Sequence, residues 1–284
     1  MRQIKKRIQK ALQIRTFDDY FIRYEDFDSQ KVTPRTVDVL LPSTYYDDET
    51  THFPVIYMHD GQNLFDDKLS FSGTSWKVGE TIHKLSESGE IPKVIVVGIW
   101  NNEFRLGEYM PQRALEWKYP DVQDCWFTQT YNVEIKSDAY LQFITKELKP
   151  FIDERYRTKS EAESTAIMGS SMGGLISMYA ICEYPDVFSK AGCLSASWTI
   201  GGEEMMDYMR KKLPSAELNK VYLDYGVEEH IGNYKNYIKT VNNMAKEKGY
   251  VMKKTWLSAR FPGTEHSESA WRDRLDVPLK FLLR

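Results

Sequence analysis

The chain has 284 residues, 42% hydrophobic and 28% charged, with a formal net charge of -3. This length suits one large α/β domain, and the charge balance leaves no electrostatic footprint for nucleic acid. The absence of any run of about 18 apolar residues argues against a transmembrane helix or a membrane partner, and the sparse Cys125, Cys182 and Cys193 fit neither a disulfide framework nor a zinc site.

In chain order, the N-terminal "MRQIKKRIQKALQIRTF" is basic and lacks the apolar core of a secretory signal, so a cytoplasmic location is expected. "TVDVLLP" (36–42) predicts a strand. "FPVIYMHD" (53–60) and "KVIVVGIW" (93–100) are β-branched apolar runs of the kind buried on both faces of a sheet. Between them, 76–89 predicts a helix ending at Gly89. After an aromatic stretch, 132–156 predicts a helix and 164–170 a strand. A helix over 172–185 is stopped by Pro185. Strands are expected at 191–197, 220–226 and 253–261, and helices at 203–212, 233–248 and 268–283. This alternation predicts one α/β domain over 1–284: a mostly parallel sheet, helices on both faces, and antiparallel edge strands from the first fifty residues. The loop-rich aromatic insertion is placed at 100–131.

The segment "AIMGSSMGGL" (166–175) carries the chemistry. Gly169-Ser170-Ser171-Met172-Gly173 matches G-x-S-x-G between a strand and a helix. A nucleophile at such a turn has a strained backbone, and residues two positions away must be small to avoid a clash. The spacing selects Ser171 as nucleophile and leaves Ser170 at the variable position. The N–H of Met172, at a helix N-terminus, has no partner within the helix and can donate to an oxyanion.

A serine hydroxyl needs a base. Of the five histidines, His266 in "FPGTEHSES" lies after the last strand and before the last helix, the usual place for the base in this order of elements. His83 lies within a helical pattern, His52 in a polar loop, His59 in "HDG" and His230 in a loop after the strand at 220–226. The acid is expected after that same strand: Asp224, Glu228 and Glu229 are the candidates, and Glu229 is favoured because its loop lets a carboxylate reach an imidazole. Neither H-x-H nor H-E-x-x-H occurs, so neither a metal nor a cofactor is called for.

Together these residues resemble the Putative esterase (esterase D-like) family of α/β-hydrolases. Carrying the resemblance are "RTVDVLLPSTY" (35–45), "FPVIYMHDGQNLFDD" (53–67), "VVGIWNNEFRLGEYMP" (96–111), "ELKPFIDERYRT" (147–158), "GSSMGGLISMYAICEYPDVF" (169–188) and "LSASW" (194–198). The resemblance implies the α/β-hydrolase fold, with Ser171, Glu229 and His266 as the triad. It also implies that the backbone N–H of Gln62 joins that of Met172 as an oxyanion donor. Trp100 and Trp126 of the insertion, with Trp198 and Trp76 at the same rim, are candidates to hold a sugar or aryl ring. The expected activity is a serine carboxylic-ester hydrolase acting on a small-molecule or oligosaccharide ester of feruloyl or acetyl type. A siderophore trilactone, an S-formylglutathione-like thioester, acyl transfer and a non-catalytic binding domain are the alternatives.

Overall fold

The computed structural model describes residues 13–15, 20–226 and 234–284. Nine strands among them form one sheet: β1 (Gln13–Arg15), β2 (Phe21–Phe27), β3 (Arg35–Leu40), β4 (Val55–His59), β5 (Ile95–Ile99), β6 (Thr165–Ser170), β7 (Lys190–Leu194), β8 (Lys220–Gly226) and β9 (Trp256–Phe261). Their spatial order is β1-β2-β3-β5-β4-β6-β7-β8-β9. The first three pair antiparallel and β3 joins β5 antiparallel, while every pair from β5 through β4 to β9 is parallel. The expected architecture is therefore present.

The parallel strands show why their sequences are apolar throughout. Along β4, Val55 and Tyr57 join the core on one face, while Ile56 and Met58 join the core on the other. Helix α1 (Val78–Glu87) covers the second face, together with the two C-terminal helices described below. Between β5 and β6 run α2 (Arg105–Tyr109), α3 (Gln112–Glu116), α4 (Trp126–Tyr131), α5 (Ser137–Phe143) and α6 (Lys149–Arg155). The insertion thus contains short helices as well as loop. Helix α7 (Met172–Glu183) is buried at every residue from Met172 to Cys182, which explains an apolar composition without an amphipathic stripe. Next come α8 (Trp198–Lys212) and α9 (Tyr234–Glu247), then α10 (Glu268–Asp273) and α11 (Asp276–Leu283).

Several boundaries depart from the periodicity. The helix expected over 132–156 is three segments: Asn132 is left-handed, α5 begins at Ser137, and a wide π turn at Ile144–Leu148 precedes Pro150. A proline ring collides with the carbonyl four residues back, and the wide turn accommodates it. Similarly, Pro278 opposes a continuous helix through Arg274, and the expected closing helix is two. The strand expected from 253 starts at Trp256, because Lys253 is left-handed (φ 66°). The helix expected at 203–212 starts earlier, at Trp198, and bends at Gly202.

Candidate active site

The carboxyl ends of the parallel strands deliver the candidate residues to one edge of the sheet, the edge at which open α/β sheets bind ligands. Ser170 ends β6 with only 5% of its surface accessible. Ser171 follows with φ 57° and ψ -123°, partly exposed, and Met172 opens α7. The left-handed φ is held from both sides: Ser171 N–H donates to Leu194 O (2.9 Å), and its carbonyl accepts from the N–H groups of Gly174, Leu175 and Ser197, each at 3.1 Å. Strain of this kind persists where surroundings over-determine it. A methyl group on Gly169 would stand 2.8 Å from the carbonyl carbon of Gly173, so the turn closes only with glycine. One on Gly174 would stand 3.0 Å from Ala196 Cβ, so this glycine sets the approach of α7 to the segment after β7. The Ser171 hydroxyl lies 3.2 Å from that of Ser197.

A second turn, after β4, carries Gln62. Asp60 is left-handed (φ 58°, ψ 48°) and caps a single 3-10 turn, Gly61–Asn63. Its buried carboxylate accepts from Arg105 Nε and Nη2, both at 2.8 Å, and from Asn101 Nδ2 at 2.6 Å. Burial opposes that charge, but the Arg105 guanidinium and the Asn101 amide outweigh it and hold the carboxyl below its usual range. The Gln62 side-chain oxygen accepts from Asn101 N–H (3.2 Å). A methyl on Gly173 would sit 3.3 Å from Asp60 Oδ2 and 3.4 Å from His59 Cβ, so the two turns are in contact. His59 lies beneath them, its Nδ1 2.8 Å from the Tyr140 hydroxyl. Burial lowers its pKa to about 4, with Arg105 adding to the effect and Asp60 opposing it, so the ring is neutral at pH 7.

His266 lies exposed on the loop after β9, its ring edge-on to Trp271 at 4.9 Å between centroids. Desolvation by the surrounding protein, then the charges of Arg274 and Arg105, lower its pKa to about 4, which leaves a neutral imidazole able to accept a proton. The loop is anchored from below. Asp224, fully buried in β8, accepts from Arg274 Nε and Nη2 (3.0 and 3.1 Å), from the Tyr222 hydroxyl (2.9 Å) and from Ser195 N–H (3.0 Å). Arg274 also donates to Thr264 (3.2 Å) and to the Ser195 hydroxyl (2.8 Å), which accepts from the Trp271 indole N–H as well (3.0 Å). Asp224 is thus occupied as the buried counter-ion of the loop's anchor. Glu228, Glu229 and His230 lie outside the described residues.

The tryptophans divide. Trp198 has no accessible surface and lies in the core. Trp76 is also buried and meets Trp271 at 5.8 Å. Trp100 is half-buried, donating its indole N–H to Asp38 (2.8 Å) beneath the Arg23 guanidinium. Trp126 is 37% exposed and stands edge-on to Phe127. Of the four indoles expected at the rim, Trp126 is the most exposed.

Sequence reading missed Asp60, Asn101, Arg105, Ser197 and Arg274 as parts of the arrangement. Each is joined to its partner across a long stretch of chain, 45 residues for Asp60 and Arg105, which no local pattern records.

Comparison with known proteins gives the family and the fold. The family model Putative esterase matches residues 31–282. An uncharacterized Bacillus subtilis protein, YbbA, is 30% identical over 245 residues, which span 83% of this chain and 88% of that protein. Among solved structures, an IroE-like serine hydrolase from Shewanella oneidensis superposes with a TM-score of 0.69 at 21% identity, covering 93% of this chain and 80% of that one. The enterobactin esterase of Shigella flexneri superposes with a TM-score of 0.67 at 17% identity, covering 96% of this chain and 61% of its own. At these identities the structural matches establish the fold.

Proposed function

Because the chain belongs to the Putative esterase family and has the α/β-hydrolase fold, we propose that this ester hydrolase works through an acyl-enzyme on Ser171. The observation that carries the reading is the Ser171 turn itself: a left-handed, partly exposed serine between β6 and α7, beside a buried and unreachable Ser170. A strained serine gains nothing for folding and gains reach for chemistry.

In this reading His266 takes the hydroxyl proton as Ser171 Oγ attacks the ester carbonyl carbon. The resulting oxyanion accepts hydrogen bonds from the N–H groups of Met172 and Gln62. His266 then protonates the departing alcohol as the C–O bond breaks. Water, deprotonated by His266, attacks the acyl-enzyme and frees the acid. Glu229 orients the imidazole and stabilises its charged form. The substrate is an aromatic or carbohydrate-linked ester, a reading supported by the partly exposed Trp126 in the aromatic insertion that follows the carboxyl end of β5. A siderophore trilactone is the second reading, since the enterobactin esterase shares the fold.

A fluorophosphonate probe followed by peptide mass mapping tests the nucleophile. Label is expected on Ser171, with Ser171→Ala inactive and Ser170→Ala active. Label on Ser170, or an active enzyme that takes no label, would reject the mechanism. Turnover of methyl ferulate, acetylated xylo-oligosaccharides and an enterobactin-type trilactone then ranks the substrates.

A further inference from the structure

Between the Gly61–Asn63 turn and α1 the chain forms a compact loop built almost wholly from its own polar groups. Leu69 and Ser70 N–H both donate to Asp66 O, at 3.2 and 3.1 Å, and Gly73 N–H donates to Ser70 O at 3.0 Å. Both the N–H and the hydroxyl of Ser75 lie 2.8 Å from Asp67 Oδ1. Lys77 Nζ adds an ion pair to Asp67 at 3.2 Å. Such a loop is held in place rather than left to fluctuate.

Its two attachments lead to the two halves of the site. At one, Phe71 N–H donates to Asn63 Oδ1 (3.0 Å) and Trp76 N–H to Asn63 O (2.8 Å), and Asn63 is the residue after Gln62. At the other, the Trp76 ring meets Trp271 at 5.8 Å, and Trp271 meets His266 at 4.9 Å. The loop therefore spans from the turn carrying the oxyanion donor to the loop carrying the base. On it, Ser70 and Trp76 are buried, yet Phe71 is 90% exposed, the most exposed of the large apolar side chains described.

We infer that Phe71 is a specificity-determining residue that packs against the aromatic ring of the ester's acyl part; the inference rests on the esterase reading above. A phenyl ring on a fixed backbone loses little freedom when it meets a second ring, and offset or edge-on ring pairs add to the area they bury. Asn63, next to Gln62, holds the Phe71 N–H, so the residue is tethered beside the turn proposed to carry the oxyanion donor. In this assignment an aryl group attached to the carbonyl carbon offers Phe71 a ring to pack on, and a short aliphatic acyl group offers none.

Methyl 3-phenylpropanoate and methyl butyrate, which share an alcohol and differ in the acyl group, test the assignment. The ratio of their kcat/KM values is expected to fall about tenfold in Phe71→Ala, carried by KM, and to be restored in Phe71→Tyr. An unchanged ratio in Phe71→Ala, with hydrolysis of both esters abolished by Ser171→Ala, overturns the role of Phe71 and leaves the esterase reading standing. Hydrolysis that survives Ser171→Ala, or no turnover of either ester by the wild-type protein, overturns the esterase reading and this assignment with it. Sedimentation closes the remaining route: a wild-type dimer that Phe71→Asp converts to monomer, with the ratio unchanged, assigns the ring to self-association instead.

Discussion

The Arg105 guanidinium meets the Asp60 carboxylate through two parallel hydrogen bonds, Nε to Oδ1 and Nη2 to Oδ2, each 2.8 Å. This fork fixes the residue that caps the Gln62 turn, and Asp60 in turn packs against Gly173 of α7. Arg105→Ala leaves a buried carboxylate without its cation and loosens the spacing of the two proposed oxyanion donors, Met172 and Gln62. The expected result is a loss of about 10–100-fold in kcat with KM within about threefold, since misplacing a donor by an ångström weakens the transition state more than the ground state. Arg105→Lys should recover only part, because an ammonium cannot reproduce the planar fork. Steady-state kinetics on one ester checks both.

Gln62 separates backbone from side chain. Gln62→Ala keeps the N–H and should retain most activity, losing only the bond to Asn101. Gln62→Pro removes the donor and should lower kcat by about 10²–10³ in the folded protein. Full kcat in a folded Gln62→Pro enzyme would remove this residue from the oxyanion site.

Asp224 and Glu229 should part company in stability and rate. Arg274→Met strands Asp224 in the core, at an expected cost of about 3–5 kcal/mol in denaturant unfolding. Glu229→Gln should instead leave the unfolding midpoint close to wild type and lower kcat. A large kcat loss in Asp224→Asn at unchanged stability would transfer the acid's role to Asp224.

The two perturbed histidines give a pH signature. Both have folded-state values near 4, against 6.5 unperturbed. As pH falls from about 6.5 to 4, the unfolded chain takes up these protons before the folded one does, so native stability declines through that window and these histidines add no such slope above it. Urea unfolding at pH 7 and pH 5 should show the decline, and His59→Gln should reduce it. For catalysis, kcat/KM should hold well below pH 6.5 and fall on an acid limb displaced toward 4, where His266 becomes charged.

How much of this was legible in the sequence depends on how local each cause is. The Ser171 turn was legible because its requirement lies within five residues: a methyl at Gly169 would collide with Gly173, and the spacing of the two records it. The parallel strands were legible because burial on both faces, as at Ile56 and Tyr57, leaves an unbroken apolar run. Pro278 carried a local signal for the break between α10 and α11, yet the apolar periodicity runs across it. Trp198 shows the opposite case. Its position at the end of "LSASW" places it at the rim in sequence, but at the start of α8 its indole is buried in the core, and nothing short of the packed structure reports which way an indole faces. The fork between Arg105 and Asp60 lay beyond reach because tertiary pairing, unlike a turn, leaves no spacing rule behind.

The left-handed φ of Ser171 has a consequence for how this protein can change. At φ 57° and ψ -123° a side chain is disfavoured, and such strain is worth about 1–3 kcal/mol. Ser171→Gly relieves it, offset in part by the extra freedom glycine gives the unfolded chain. The variant should therefore unfold at higher temperature than the wild type while losing its esterase activity, with the shift read by calorimetry. Selection for robustness alone would push this position toward glycine, and under the proposed mechanism demand for the reaction opposes it. A descendant freed from that demand could drift into a more durable, inert scaffold by a single substitution.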